Sequence, residues 1–392
     1  MISKIRSLGN IPNRRALLRC LRRQLSRATA REPFSALRLD VAYEWVAAAQ
    51  DTKADGGVPA AYDLLRGWSA SYPETTGYMI PTMLAYSKLR GRAEARDRAL
   101  RMADWEIEVQ MSSGAVRAGP LSQEPAPAVF NTGQVLFGWV AAYRETQNDA
   151  YRKAATRAAQ WLLEVQDQDG AWRRNLSPLT NTSVHTHNVR SAWGLALAGR
   201  DFNEPAWTEA ARRNCDWALS QQDSDGWFEN CGLDATMPPL LHTIAYTLEG
   251  LLAMGQLLGD ERYALSARAG AKPLADRFEN EGSLPGLFER GWKPAASWTC
   301  VVGNAQTAIV LLRLANWVSG CESYGRIGRD ILAEVARTQD IESPRPETRG
   351  AIPGADPIWG AYMHWSYPNW AVKFFMDALS LVLTDGKAEA AG

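Results

Sequence analysis

The chain has 392 residues, 46% of them hydrophobic and 22% charged, so a large core is available and a disordered polymer is excluded. Forty-three basic residues balance forty-three acidic ones. Zero net charge lacks the electrostatic footprint of a nucleic-acid-binding surface and removes nucleic acid as an expected partner.

The first segment in chain order differs from the rest. Residues 1–33 read as a basic amphipathic segment: Lys4, Arg6, Arg14, Arg15, Arg19, Arg22, Arg23, Arg27 and Arg31 precede the first acid, Glu32. Ile2, Ile5 and Leu8, then Leu17, Leu18, Leu21 and Leu25, supply an apolar face, with no run long enough for a signal peptide or a membrane span. Two roles fit residues 1–31: docking on an anionic membrane surface or protein partner, or an arm that caps the remainder. The five cysteines, Cys20, Cys215, Cys231, Cys300 and Cys321, are odd in number with no CxxC pair, which argues against a disulfide framework. The expected location is cytoplasmic, with peripheral membrane association as its variant.

A repeat occupies residues 34–386, ahead of a short tail at 387–392. Segments ending in Gln and followed by a polar turn recur as AAQDTKADGG, EVQMSSGAV, EVQDQDGAW, SQQDSDGWF and RTQDIESPR. Their glutamines, Gln50, Gln110, Gln166, Gln222 and Gln339, are spaced by 60, 56, 56 and twice about 58 residues, with a missing member near Asn280. Each of the six units predicts two helices by apolar periodicity. Helices with charged outer faces are expected at 36–50, 93–112, 149–166, 204–222, 260–279 and 321–339. Far more apolar ones are expected at 74–90, 131–147, 187–200, 241–258, 302–318 and 367–384. The predicted class is all-α, an (α/α)6 toroid of six helical hairpins, with an open α-solenoid as the structural alternative. Trp161, Trp172, Trp217 and Trp227 hold matched positions in successive segments and are expected in the core.

In a closed ring the apolar helices run in one direction, so their N-terminal ends share a mouth. Those ends read SYPETTGY, VFNTGQ, VHTHNVR, LLHTIAY, CVVGNAQ and HWSYPNW, and they contain all four histidines, His185, His187, His242 and His364. Clustered titratable groups in a cleft mark a candidate site. Thr75, Asn131, Thr132 and Thr243 also suit helix caps. Six helix N-termini favour an anionic or oxygen-rich ligand. Glu74 is the best exposed carboxylate of the mouth. Glu249, seven residues after His242 on the same face, either orients that histidine or forms a structural ion pair with Arg190. HExxH, CxxC, GxSxG and Walker motifs are absent, so no metal or cofactor is assigned.

The QDQDGAW and QQDSDGW turns resemble the QxxxGxW repeats of squalene-hopene cyclases and other α/α toroids, but the cyclase acid motif DxDD is missing, which speaks against terpene cyclisation. From about residue 36 to 384 the chain resembles bacterial six-hairpin sugar enzymes. NTGQVLFGW and then LLHTIAYTLEGLL are similar in order to the C-terminal domain of glucuronyl C5-epimerases. NTSVHTHNVRSAW, LLHTIAYTLEG and YMHWSYPNW resemble the histidine-bearing inner-helix starts of N-acylglucosamine and cellobiose 2-epimerases. By that resemblance His242 and His364 match a proton-transferring pair, with His187 assisting.

The expected function is that of a carbohydrate-active enzyme. It would act on a sugar or acidic polysaccharide by proton abstraction next to a carbonyl or carboxylate, as an epimerase or lyase in exopolysaccharide metabolism. His242 and His364 would be base and acid, Tyr246 or Tyr367 an alternative acid, and His187, Asn188 and Arg190 the groups holding the anion. His185, Asn131, Gln134, Asn304, Tyr72, Asn369 and Trp365 complete the candidate substrate contacts. The alternatives are a glycoside hydrolase drawing two carboxylates from Glu74, Asp234 and Glu249, and a non-catalytic sugar-binding or scaffold subunit of a polysaccharide assembly system.

Overall fold

The computed structural model describes residues 14–26, 32–121 and 123–384. Of the basic segment, residues 1–13 and 27–31 lie outside the described residues, as does the tail at 387–392.

After an N-terminal helix, α1 (Arg14–Ser26), six outer helices alternate with six inner ones. The outer set is α2 (Ala36–Asp51), α4 (Ala93–Val109), α6 (Asp149–Val165), α8 (Pro205–Leu219), α10 (Glu261–Glu281) and α12 (Tyr324–Thr338). The inner set is α3 (Pro73–Arg90), α5 (Val129–Thr146), α7 (Val189–Asp201), α9 (Leu241–Leu258), α11 (Val301–Trp317) and α13 (Asn369–Leu383). Each inner helix packs on the next, and α13 packs back on α3, so the ring closes as an all-α (α/α)6 toroid rather than an open solenoid.

Residue type decides which ring a helix joins. In α6 only one stripe is buried, Tyr151, Ala154, Ala155, Ala158, Ala159, Trp161, Leu162 and Val165, which is the i, i+3, i+4 spacing of a surface helix. In α9 every residue from Leu241 to Gly255 is buried, as befits a helix apolar on all sides. Small residues let the inner backbones approach closely: a Cβ on Gly133 of α5 would lie 2.3 Å from the Ser191 Cβ of α7. Trp161, Trp172, Trp217 and Trp227 are all buried in the core.

Each inner helix also packs closely on the outer helix that follows it: α3 on α4, α5 on α6, α7 on α8, α9 on α10 and α11 on α12. The leading outer helix, α2, therefore finds its partner at the far end of the chain, in α13. Two short strands, β1 (Ala61–Asp63) and β2 (Ser366–Pro368), pair antiparallel across the same closure.

The repeat glutamines explain the sequence period. Gln110 Nε2 donates to Gly114 O in its own turn (2.8 Å) and to Ala154 O of the next outer helix (3.0 Å). Gln166 does the same to Gly170 and Ala210, Gln222 to Gly226 and Ser266, and Gln50 to Gly56 and Arg98. Gln339 reaches Gly350 O and, across the closure, Arg38 O of α2 at 3.0 Å. The described part of the basic segment lies on this seam: Arg19 forms a bidentate pair with Asp340 (2.6 and 2.9 Å), and Arg23 donates to Gln339 O (2.8 Å). No helix among the described residues is long and apolar enough to cross a membrane.

Removing a buried glutamine deletes both of its bonds, one to its own turn and one to the neighbouring outer helix. Gln339→Ala is expected to lower unfolding free energy by about 1–3 kcal/mol, read from the urea midpoint. Gln256→Ala, at an exposed position of α9, should stay within about 0.5 kcal/mol of the parent.

Candidate functional site

The polar inner-helix starts converge on a cavity of about 220 Å³. Pro73 opens α3, and its fixed φ suits the first helical position. Glu74 and Tyr78, four residues apart, then share one face that lines the cavity. Phe130 and Asn131 enter from α5, His185, His187 and Asn188 from the segment entering α7, His242, Thr243 and Tyr246 from α9, and Trp370 from α13. Leu176, Leu179 and Leu233, from two outer-to-inner loops, and Tyr362 and Met363 complete the wall. The remaining inner helix, α11, acts indirectly: its Gln306 holds His242 Nδ1 at 2.6 Å through its Oε1. An amide oxygen only accepts, so Nδ1 carries the proton and Nε2 is the free, basic nitrogen.

Burial dominates the electrostatics. It pushes the Glu74 carboxyl up to about 7, against the downward pull of the Tyr72 hydroxyl that donates to it and of the Arg190 charge. It also lowers His242 and His185 to about 4, and His187 well below its ordinary value with the help of neighbouring His185 and His242. The Tyr246 and Tyr78 hydroxyls are raised by burial in the same way. At neutral pH the histidines are therefore uncharged, and Glu74 is the group divided between its two protonation states. The rings are close: His242 lies 4.3 Å from Tyr246, Phe130 lies 5.1 Å from Tyr246, and His185 stacks on His187 at 4.5 Å.

Several buried polar atoms here have no hydrogen-bond partner: the Tyr78 and Tyr246 hydroxyls, Asn131 Oδ1, His187 Nδ1 and both amide atoms of Asn188. Buried polar groups are normally satisfied, so such a concentration in one wall calls for an explanation, and a polar ligand supplies one.

Below the cavity a charged layer fills the toroid axis. Arg190 Nη1 donates to Glu249 Oε2 (2.7 Å) and Arg190 Nε to Gln134 Oε1 (2.8 Å), while Arg313 approaches Glu249 at 3.7 Å. Lys373 pairs with Asp377 at 2.5 Å, and Thr82 donates to the same carboxylate. Burial raises the Glu249 pKa, but Arg190, Arg313 and Lys373 together draw it below its ordinary value. Three cations thus face two carboxylates under Glu74.

The structure redistributes the residues singled out by sequence. Glu74, Tyr72, Asn131, His185, His187, Asn188, His242 and Tyr246 line one cavity. Arg190, Gln134 and Glu249 form the layer beneath it, and Glu249 does not orient His242, because Gln306 occupies the ring nitrogen that faces the helix bundle. His364 is separated from His242: its ring is exposed and its Nδ1 meets the Trp359 and Gly360 carbonyls, so the loop turns it outward. Trp365 packs between Trp359 and His364. The Tyr367 hydroxyl donates to Cys20 Sγ under α1, and Asn369 is consumed by Pro59 O and Thr75 Oγ1. Asn304 lines a different cavity. Thr132 and Thr243 donate back to Ala128 O and Leu240 O instead of capping helix N–H groups. Sequence reasoning missed Tyr78, Phe130, Trp370, Tyr362 and Gln306. Tyr78, Phe130, Gln306 and Trp370 sit inside the polar helix starts SYPETTGY, VFNTGQ, CVVGNAQ and HWSYPNW, where residue order alone does not say which side chains take part, and Tyr362 belongs to the loop ahead of the last of them. Among the described residues, no cluster of His, Cys, Asp and Glu is placed to hold a metal ion.

No protein-family model and no curated protein sequence matches the chain. Solved structures match it in fold. An unsaturated glucuronyl hydrolase specific for heparin superposes with a TM-score of 0.70 at 17% identity, over 89% of this chain and 97% of that one. An unsaturated glucuronyl hydrolase from Bacillus sp. GL1 gives 0.70 at 15% identity, over 89% and 96%. Cellobiose 2-epimerase from Bacillus thermoamylovorans B4167 gives 0.67 at 12% identity, over 87% and 95%. The chain therefore has the architecture of the six-hairpin toroid carbohydrate enzymes.

The buried histidines make stability depend on pH. His185 and His242 titrate near 4 when folded and near 6.5 when unfolded. Between those values the unfolded chain binds more protons, so their contribution is complete above pH 6.5 and is lost as pH falls toward 4. Glu74 works in the opposite sense, because its folded pKa near 7 lies above the unfolded 4.5 and adds stability as pH falls between them. Two histidines outweigh one carboxyl. Urea midpoints should fall from pH 6.5 to 4.5, and more steeply in Glu74→Gln than in the parent. A flat profile would mean that the rings are solvated.

Proposed function

We propose that the chain is a carbohydrate-active enzyme that moves a proton at a sugar carbon next to a carboxylate or carbonyl, as an epimerase or a lyase, on a negatively charged substrate. The observation that carries this reading is Glu74, an acid–base group with a pKa near 7 in a cavity lined, among the described residues, by no second carboxylate. A base whose pKa matches the working pH combines the correct protonation state with adequate strength, and histidines near 4 do not.

In this mechanism Glu74 takes the carbon-bound proton, and the electron pair moves onto the neighbouring carboxylate or carbonyl oxygens. The excess positive charge of the layer below, with His187 and Asn188 as adjacent polar partners, stabilises that anion. Tyr246 then either returns a proton to the opposite face, completing an epimerisation, or protonates the departing glycosidic oxygen as its bond to carbon breaks, completing an elimination. Phe130 and Trp370 offer apolar faces to a pyranose ring. The names of the three solved structures described above, each a carbohydrate enzyme, support the substrate class.

A hydrolase reading also draws on those names, since several neighbours are glucuronyl hydrolases. Paired-carboxylate hydrolysis needs a second acid across the scissile bond. Glu249 is locked to Arg190, and the Asp234 carboxylate is exposed and held by Asn181 and Thr236. Proton transfer is therefore the favoured reading.

Uronic-acid oligosaccharides incubated with the protein in deuterated water distinguish the outcomes. An epimerase gains carbon-bound deuterium, a lyase releases an ultraviolet-absorbing unsaturated sugar, and a hydrolase does neither. Glu74→Gln should lower kcat by about 10²–10⁴-fold, while His364→Ala stays within about twofold of the parent. Tyr72→Phe removes a hydrogen bond that holds the Glu74 pKa down, so the rising limb of the rate profile should move to higher pH. Full activity in Glu74→Gln would eliminate the mechanism.

A further inference from the structure

A second, larger cavity of about 660 Å³ opens on the other side of the loop that walls the first. Pro357 and Trp359 of that loop line the second cavity, while Tyr362 and Met363 line the first. Its remaining walls are the starts of α11 and the ends of α10 and α12, with Gln24 of α1 closing one edge.

Three features mark it as more than a gap between helices. Trp359 is 40% exposed, unusual for a tryptophan in a chain that buries most of its own. Asn304 is only 6% exposed, yet its Oδ1 has no hydrogen-bond partner. Hydroxyls of Ser283, Thr299 and Thr338 lie around them. The charged side chains here are already paired: Arg337 with Glu334 and Asp356, and Glu281 with Arg277. Carboxylates nevertheless outnumber guanidinium groups among the lining residues, so the local field is opposite in sign to the layer beneath Glu74 and disfavours a polyanion.

We propose that this cavity is an accessory subsite for a neutral stretch of a glycan, an inference that rests on the carbohydrate reading above. Trp359 presents its ring to a pyranose face, and Asn304 together with the nearby hydroxyls bonds the sugar's hydroxyls. The substrate is then a polymer of mixed character, with an acidic residue over Glu74 and neutral residues across the Pro357–Met363 loop. Opposite fields on the two sides of the loop fix the direction in which such a chain lies.

Calorimetric titration of the full chain with neutral hexasaccharides of β-1,4-glucose, α-1,4-glucose and β-1,4-mannose tests the subsite. At least one is expected to bind at millimolar concentration, with affinity reduced about tenfold or more in Trp359→Ala and in Asn304→Ala but unchanged in Glu74→Gln. Ser283→Arg, at an exposed position of the rim, should block the cavity without disturbing the core and serves if Asn304→Ala unfolds. Binding that ignores Trp359 and Ser283, or no binding by any of the three sugars, overturns the subsite. Trp359-dependent binding in a chain that shows no proton transfer on uronic-acid oligosaccharides upholds the subsite and removes the enzymatic reading alone.

Discussion

A glutamine amide that donates to two carbonyls at once sets the geometry of this molecule. One acceptor lies in the glutamine's own turn and the other, 44 residues further along in three of the five cases, lies on the neighbouring outer helix. Because one amide must reach both carbonyls, the pair of bonds fixes the distance between successive units. Gln339 applies the same bond to Arg38, and by doing so converts a row of hairpins into a ring. Closure then places every long outer-to-inner loop on one side, which is where the chemistry-bearing residues gather.

Inside the ring, stability and function pull apart. Inner helices apolar on all sides would pack well, yet α7, α9, α11 and α13 carry Arg190, Glu249, Arg313, Lys373 and Asp377 at the axis. Burying ions is costly unless they are paired, and these form a connected layer that keeps the desolvated charges compensated. Its surplus positive charge lies under Glu74, whose pKa burial raises to about 7. The unpartnered hydroxyls, imidazole and amides of the wall above are a second such cost, concentrated where a ligand's oxygens can satisfy them.

The same logic separates the two cavities. Residues of one loop line both, but one cavity sits over excess cations while the other is edged by carboxylates already engaged with arginines. The helix α1, anchored through Arg19 to Asp340, reaches the second cavity through Gln24. Thus the described part of the basic segment shapes the toroid's surface.

Much of the architecture could be read from residue order alone. Periodicity placed all twelve helices, because the contrast between one buried stripe and an all-round apolar surface is local to each helix. The spacing of Gln50, Gln110, Gln166, Gln222 and Gln339 was visible too, although its hydrogen-bonding reason was not. The polar helix starts likewise announced a mouth, and His187, His242, Tyr246 and Glu74 belong to it. What depended on tertiary structure was direction. His364 and His242 both sit near the start of an inner helix, yet His242 lies inside α9, where Gln306 from a different helix fixes it, while His364 lies in the loop ahead of α13, whose turn exposes it. Glu249 and Glu74 look alike in a sequence, and burial raises the pKa of both, but Glu249 meets a guanidinium and further cations while Glu74 bonds only a tyrosine hydroxyl, so their partners drive their acidities apart. Side-chain partners drawn from distant helices decide protonation, and no local pattern encodes which partners a closed ring will bring together.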